Sequence, residues 1–395
     1  MTKADQNFFC ADISTAKGIA ILLIIICHIG EIFSNVDVTL FYVFTTGQMA
    51  CQLFFICSSF ALCLSYSRSH PSYRKFLYKR LKRIAPPYWG AIIISAFLCF
   101  LSPFINDGTY SSFFKAPYKI IINVLLLNGC TPYGNNDIVY GGWFVGTIVI
   151  FYLFFPLLFK FYFFIRRRFK NTFFLFILLY CLQITVAILF SAFGVNCIPL
   201  SFAYFSCLNQ LSSFFVGFIL YDLYSSNTVS KIKHPLFWFI VFVSVSISAY
   251  AGGYFIGWKD TFVFAPLNFS ISYVFLIALI NRILNRGKSG RSIVAKVLFT
   301  LGNRSYGIYL THLFIVYLFS RPLLKGMFFS LHIDSVACFI VLCLLTVPFC
   351  SVIGVFYDKL FDWTRRITPK QIAKAGNNSI TDDGYASLSK NRRKK

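Results

Sequence analysis

The chain is poor in charged residues, and poorest in acidic ones. Charged side chains make up 13% of its 395 residues, about half the share that is usual in soluble domains. So few charges cannot cover the surface of a soluble protein of this length, which excludes an ordinary water-soluble fold. Glu31 is the only glutamate in the sequence, so carboxylates are scarce wherever chemistry would need one.

The sequence also lacks the spacings that bind metals or build disulfide frameworks. Its 13 cysteines include no Cys-x-x-Cys pair and no cluster with histidine. We therefore interpret the cysteines as small apolar packing residues, and we expect neither a metal site nor a disulfide framework. The chain has no internal repeat, which disfavours a transporter built from inverted repeats.

Apolar stretches are what the sequence has in abundance. Hydrophobic residues make up 57% of the chain, and a membrane-spanning helix needs about 20 apolar residues. Ten stretches qualify: 13–34, 40–65, 87–105, 143–165, 172–193, 200–222, 236–254, 262–281, 297–320 and 334–357. They predict an all-α polytopic membrane protein with about ten transmembrane helices. The segment 116–129 is apolar but shorter, and we expect an interfacial or re-entrant helix there.

The basic residues predict how these helices are oriented. A formal net charge of +24 would suggest a nucleic-acid partner in a soluble protein. Here the basic residues lie between apolar stretches, so we expect no nucleic acid. If the helices alternate from an inside N-terminus, 32 of the 37 lysines and arginines fall on the inner side. Positive charge resists translocation, so both termini are predicted to be cytoplasmic, in a multi-pass protein of the inner membrane.

We divide the chain into a transmembrane domain, residues 1–358, and a C-terminal tail, residues 359–395. The tail is polar and ends in Arg-Arg-Lys-Lys. This composition predicts a disordered, basic cytoplasmic tail that can contact anionic membrane lipid.

The first apolar stretch carries polar side chains that are costly inside a membrane. Lys17 and His28 are eleven residues apart, about three helical turns, so both lie on one face roughly 16 Å apart along the axis. Glu31 follows one turn after His28. A neutral histidine can accept the proton of an attacking hydroxyl while a carboxylate holds its tautomer. The alternative is a packed histidine that hydrogen-bonds another helix, with the lysine extended towards the interface.

A basic cluster precedes the third apolar stretch. Arg80 and Arg83 lie one helical turn apart at its cytoplasmic end, next to Lys79. Paired guanidinium groups form bidentate hydrogen bonds with phosphate, which suits a phosphate-rich donor. The alternative is a positively charged anchor that only determines topology.

Two later segments carry aromatic and hydroxyl side chains that can line a cavity. The first opens the fourth predicted helix and contains Trp143 and Tyr152. The second opens the ninth predicted helix and contains Ser305, Tyr306, Tyr309 and His312. A tryptophan face can stack on a sugar ring or anchor a helix at the interface. Polar side chains at helical spacing can line a cavity or hold helices together.

In this order, the four motifs resemble those of the acyltransferase-3 family of membrane O-acyltransferases. Members carry a basic residue, ten residues and a histidine in the first helix, as Lys17 and His28 do. They carry Arg-x-x-Arg before a proline, as Arg80, Arg83 and Pro86 do. Their later motifs match the segments Trp143 to Pro156 and Ser305 to His312. The resemblance spans about residues 12–357.

The resemblance implies an acyl-CoA co-substrate, commonly acetyl-CoA, and no permanently bound cofactor. It implies a carbohydrate acceptor such as lipopolysaccharide O-antigen or another surface polysaccharide. By similarity, His28 and the Lys17 position form the catalytic pair, and Arg80 and Arg83 are candidates for binding the donor.

Two positions depart from the family pattern. Lys17 replaces the commoner arginine, so the forked guanidinium is lost there. Gly146 and Thr147 stand where many members carry an acidic residue, so an acid cannot be assumed at this point of the site.

Other classes of membrane protein fit the same topology. A flippase or other transporter of lipid-linked oligosaccharide would also be polytopic and basic on its inner side. A polysaccharide polymerase usually has a large outer loop with arginine, whereas the predicted outer loop 106–142 contains none. A non-catalytic scaffold leaves the intramembrane Lys17 and His28 without a role. We therefore predict an O-acyltransferase, with O-acetyl transfer as its reaction.

Overall fold

A computed structural model describes residues 3–69, 71–105, 116–132, 138–169, 171–194, 200–255, 261–286 and 292–364. Within these ranges the chain is helical, with short turns and no strand. The prediction of an all-α polytopic membrane protein is confirmed.

The α-helices of the described residues follow one another with short connections. They are α1 Lys3–Glu31, α2 Val38–Thr45, α3 Ala50–Ser69, α4 Tyr73–Ile105, α5 Pro117–Val124, α6 Gly142–Arg168, α7 Thr172–Gly194, α8 Leu200–Phe205, α9 Cys207–Ser225, α10 Pro235–Phe255, α11 Thr261–Arg286, α12 Ile293–Asn303, α13 Ser305–Ile315, α14 Arg321–Lys325 and α15 Ser335–Leu360. Two π-helical segments, Val316–Ser320 and Gly326–Ser330, extend α13 and α14.

Nine helical stretches within the described ranges are long and apolar enough to cross a membrane. They are Cys10–Glu31, Thr39–Ser69, Tyr73–Phe100, Gly142–Arg168, Phe173–Phe190, Phe202–Ser225, Phe264–Leu284, Ser305–Phe328 and Ser335–Leu360. The remaining predicted stretch, 236–254, corresponds to α10, whose apolar part over Pro235–Tyr250 is shorter.

The predicted span 297–320 needs a correction, because the helix breaks inside it. Helix α12 ends at Asn303 and α13 begins at Ser305. Helix α12 lies directly against α1, since a Cβ atom on Gly302 would overlap the carbonyl oxygen of Ser14. The Ser14 hydroxyl also donates a hydrogen bond of 2.8 Å to Asn303. This contact turns α12 along α1, and the membrane-crossing stretch starts only at Ser305.

The basic cluster before the third span lies within a helix. Helix α4 starts at Tyr73, well before the predicted start at residue 87, so Arg80 and Arg83 continue directly into the span. The predicted short helix in 116–129 is present as α5. The Tyr88 hydroxyl of α4 donates a 2.6 Å hydrogen bond to the side chain of Asn123 in α5, so α5 is fastened to α4.

Helix α1 occupies the centre of the bundle and contacts α2, α3, α11, α12, α13 and α15. Its Ala16, Ala20 and Ile21 have no exposed surface. Away from water, buried polar side chains must find partners in the protein. Gln52 of α3 donates to Gln210 of α9 at 2.8 Å, which ties α9 to a helix that packs on α1.

The predicted tail, 359–395, lies mostly outside the described residues, as do residues 106–115 of the predicted outer loop. The described start of the tail completes α15 and forms a 3₁₀ turn, Asp362–Thr364. Arg304, between α12 and α13, pairs with Asp362 and with Asp358. These ion pairs join the end of α15 to the break before α13.

Candidate functional site

Three basic side chains line one cavity of about 150 Å³, which we call the basic cavity. Lys17 comes from α1, and Arg80 and Arg83 come from α4. Other helices complete its walls with Phe54, Ser58, Ala61, Leu62, Ile84, Phe144, Ile148, Tyr152, Gly302, Asn303, Ser305, Tyr306 and Tyr309. The break between α12 and α13 therefore opens directly onto this cavity.

None of the three cations pairs with a carboxylate among the described residues. Arg80 donates to the Ser65 hydroxyl at 3.3 Å, and its Nε is buried with no protein partner there. The guanidinium carbon stands 5.6 Å from the centre of the Phe76 ring. Lys17 and Arg80 are partly buried, whereas Arg83 is exposed. Partly buried cations without a counter-charge are costly, and a bound anion offsets that cost. The basic cavity can therefore bind a phosphate-rich or carboxylate group.

A second cavity, of about 100 Å³, contains His28 and Glu31, and we call it the histidine cavity. Its remaining walls are Ile24, Gln48, Cys51, Tyr140, Gly141, Trp143, Tyr204, Phe205, Tyr309, Leu313 and Tyr317. Trp143 lies in the first turn of α6, a helix that ends in Arg166, Arg167 and Arg168. The histidine cavity thus lies towards the end of the bundle opposite these arginines.

His28 and Glu31 form a hydrogen-bonded pair in the last turn of α1. Nδ1 of His28 lies 2.6 Å from Oε2 of Glu31, and the side chains are 20% and 32% exposed. An ionised carboxylate only accepts hydrogen bonds, so Nδ1 carries the proton and Nε2 presents its lone pair. The pair is suited to general-base chemistry, because the carboxylate also stabilises the imidazolium that forms.

A second histidine lies against this pair. The ring centres of His28 and His312 are 5.2 Å apart, and His312 is fully buried. Nδ1 of His312 donates a 2.6 Å hydrogen bond to the carbonyl oxygen of Tyr309. Its Nε2 is therefore an acceptor, and no described residue donates to it.

Tyr309 belongs to the walls of both cavities. Its ring centre lies 6.2 Å from that of Phe54 and 5.2 Å from that of Phe144, and we call these three rings the aromatic partition. The Tyr309 hydroxyl donates a 2.8 Å hydrogen bond to the carbonyl oxygen of Gly141. Gly141 has φ +77°, a left-handed conformation that glycine adopts without strain.

The structure brings the residues predicted from sequence into these two cavities, with two exceptions. The basic cavity contains Lys17, Arg80, Arg83, Tyr152, Ser305 and Tyr306; the histidine cavity contains His28, Glu31 and Trp143; Tyr309 lines both. His312 contacts His28 without lining either cavity. Lys79 is exposed on α4 and lines neither.

Several wall residues were missed by the sequence reasoning. Tyr140, Tyr204 and Tyr317 give the histidine cavity three further phenolic groups, and Gln48 adds an amide. Gln48 could have been noticed as a polar residue in the apolar stretch 40–65. The tyrosines carry no such signal, because interfacial tyrosine is common in any membrane protein.

One group of side chains in the described ranges has the spacing of metal ligands. Ligand atoms of Cys27, His28 and Glu31 lie within 4.8 Å of one another. They all come from a single turn of α1, which supplies three ligands where structural zinc sites use four. The Cys27 thiol contacts the carbonyl oxygen of Thr45 at 3.5 Å, so packing accounts for its position.

Comparison with protein families agrees with this geometry. The model of the acyltransferase-3 family, described as an acyltransferase domain, matches residues 11–355. The chain therefore belongs to the acyltransferase-3 family and is a membrane-type acyltransferase. The resemblance seen in the motifs over residues 12–357 is confirmed, and a transporter, a polymerase and a scaffold are disfavoured. No curated protein and no solved structure matches the chain significantly.

Proposed function

We propose that the protein transfers an acyl group, specifically acetyl, from acyl-CoA to a hydroxyl of a cell-surface carbohydrate such as lipopolysaccharide O-antigen. One observation carries this proposal: α1 presents Lys17 to the basic cavity and the His28–Glu31 pair to the histidine cavity. An anion site and a general base then stand at opposite ends of one central helix. We assign the protein to the inner membrane, with both termini in the cytoplasm.

The basic cavity receives the donor from the cytoplasm. Arg80, Arg83 and Lys17 bind the phosphates of the CoA moiety, because guanidinium and ammonium groups are the usual phosphate ligands. Arg80 has donor capacity to spare, since its Nε is unpartnered. The narrow thioester arm extends from this cavity towards the aromatic partition.

The histidine cavity receives the acceptor hydroxyl. Its tyrosine and glutamine side chains offer hydrogen bonds to a sugar, and Trp143 offers an aromatic surface, one side of which stacks on Phe205 at 4.8 Å. A hydroxyl is a weak nucleophile at neutral pH, and a positioned base contributes roughly 10²- to 10⁴-fold in rate.

The transfer step assigns one role to each group. Nε2 of His28 takes the hydroxyl proton while the hydroxyl oxygen attacks the thioester carbonyl carbon. The C–S bond then breaks, CoA leaves as a thiolate, and the imidazolium returns the proton to it. Glu31, 2.6 Å from Nδ1, stabilises the imidazolium between these steps. Nε2 of His312, beside the His28 ring, is a second hydrogen-bond acceptor.

The reaction requires the aromatic partition to open. The donor enters on one side of Tyr309 and the acceptor on the other. The Tyr309 hydroxyl donates a hydrogen bond to the carbonyl oxygen of Gly141, which holds the side chain in place. We expect rotation of the Tyr309 side chain to connect the cavities, so that the thioester can reach Nε2 of His28.

The test is the ester content of surface glycan, measured by NMR and mass spectrometry. Cells with the gene are compared with cells that lack it and with cells carrying His28→Ala at equal membrane levels. His332→Asn is the matched control, because His332 is exposed and lies outside both cavities. We expect the ester only with the wild type and the control. An ester that persists with His28→Ala removes His28 from the mechanism.

A further inference from the structure

Two cysteines outside both cavities lie side by side at the end of the bundle near the histidine cavity. Sγ of Cys130 and Sγ of Cys207 are 3.7 Å apart, although the residues are far apart in the chain. Cys130 is exposed and Cys207 is partly buried. The proposed acyl transfer gives these thiols no role.

Backbone contacts hold the two segments that carry these cysteines next to each other. The amide of Cys207 donates a 3.3 Å hydrogen bond to the carbonyl oxygen of Gly129, the residue before Cys130. Gly129 packs directly on α6, since a Cβ atom there would overlap the amide nitrogen of Thr147. The Thr147 hydroxyl donates in turn to the carbonyl of Phe205 at 3.2 Å. Both cysteines are thus anchored to the first turns of α6.

We infer that Cys130 and Cys207 form a disulfide bond that joins the loop before α6 to the start of α9. A disulfide has its sulfurs about 2.0 Å apart. The sulfurs, now 3.7 Å apart, must therefore approach by about 1.7 Å.

The charge pattern places this pair on the side of the membrane where disulfides persist. Helix α6 starts beside Cys130 and ends in three arginines, and Arg166 pairs with Asp222 in the last turn of α9 at 2.6 Å. Both helices therefore run from the cysteine pair to the basic end. Arginine clusters stay in the cytoplasm, so the cysteines face the oxidising compartment outside it.

Formation of the bond requires a thiol oxidant, for which we specify the disulfide of an extracytoplasmic oxidoreductase. The Cys130 thiolate attacks one sulfur of that disulfide and displaces the other as a thiolate. The Cys207 thiolate then attacks the Cys130 sulfur of the mixed disulfide, and the oxidoreductase leaves as a dithiol with the two protons. The hydrogen bond from Cys207 lowers the pKa of Cys130 to about 7, which favours Cys130 as the first nucleophile.

The bond would brace a wall of the histidine cavity. Phe205, two residues before Cys207, stacks on Trp143 at 4.8 Å, and both line that cavity. A covalent link at Cys207 restrains this stack from the outer side. The inference concerns thiol chemistry alone and holds whether or not the proposed acceptor is correct.

Differential alkylation of the full-length protein tests the inference. Membranes are quenched in acid, denatured, treated with N-ethylmaleimide without reductant, digested and analysed by mass spectrometry. We expect a linked peptide pair containing Cys130 and Cys207, lighter by two hydrogens than the separate peptides. Cys10 and Cys181, both exposed, are internal controls and should be alkylated in the same sample.

Prior reduction should release Cys130 and Cys207 for alkylation. Cys130→Ser should make Cys207 alkylatable without reductant, whereas Cys181→Ser should leave the linked pair intact. Complete alkylation of both cysteines in the unreduced wild type would overturn the inference. Alkylation of the wild type is measured after denaturation, so this test remains decisive even where a variant fails to fold.

Discussion

Replacing Glu31 with glutamine tests the role given to the carboxylate beside His28. Glutamine keeps the size of the side chain, and its amide oxygen can still accept the Nδ1–H hydrogen bond. The imidazole therefore keeps its position and its tautomer. The variant loses the negative charge, which we propose stabilises the imidazolium during transfer.

The geometry of the His28–Glu31 pair gives the size of the expected decrease in transfer rate. Nδ1 and Oε2 are 2.6 Å apart, and the side chains are 20% and 32% exposed. With charge centres about 4 Å apart and an effective dielectric constant of about 20, the attraction is about 4 kcal/mol. Water near the partly exposed carboxylate screens roughly half of it, which leaves about 2 kcal/mol, or about 30-fold in rate.

The assay is the initial rate of radiolabelled acetyl transfer from acetyl-CoA into envelope glycan, in membranes with matched amounts of protein. Asp334→Asn is the control, because it removes an exposed carboxylate from a helix N-cap that asparagine also caps. We expect the control to keep the wild-type rate. A wild-type rate for Glu31→Gln would refute the assigned role of the charge.

Three further substitutions test the donor site, the turn at Gly141 and the hydrogen bonds of Asp37. Arg83→Gln removes one uncompensated cation, so KM for acetyl-CoA should rise about tenfold with kcat nearly unchanged in initial-rate assays. Gly141→Ala forces alanine to φ +77° with its Cβ 3.1 Å from the Tyr309 hydroxyl, so thermal unfolding should show a loss of about 1–3 kcal/mol; unchanged stability would contradict this. The hydrogen bond from Ser335, with those from the Leu40 and Thr39 amides, lowers the pKa of Asp37 below its ordinary 3.8. Asp37 therefore stabilises the fold above that pH, and the stabilisation is lost as the pH falls through the lowered pKa. Ser335→Ala should shift acid unfolding, followed by size-exclusion chromatography, to higher pH, and an unshifted midpoint would count against this.

Hydropathy and helical period predicted much of this fold. Apolar length locates most spans because each must cross the same hydrocarbon thickness. The helical repeat also predicted that Lys17 and His28 share a face, and both line cavities inside the bundle. The break before Ser305 could not be predicted this way, because it depends on backbone contact between Gly302 and Ser14 of another helix.

The division of the site into two cavities was also beyond sequence reasoning. The two cavities share Tyr309, whose ring lies against those of Phe54 and Phe144 from two other helices. Each ring by itself is one of many aromatic residues in an apolar stretch. The contact of Cys130 with Cys207 is hidden for the same reason, since only tertiary packing brings their segments together.

We propose that His28 accepts the hydroxyl proton while Lys17, Arg80 and Arg83 hold the donor elsewhere in the bundle. The most direct test measures acetyl transfer by purified His28→Ala protein at saturating acetyl-CoA, after its acetyl-CoA binding has been compared with that of the wild type. We expect unchanged binding and a transfer rate lower by about 10²- to 10⁴-fold. Transfer at the wild-type rate would contradict it.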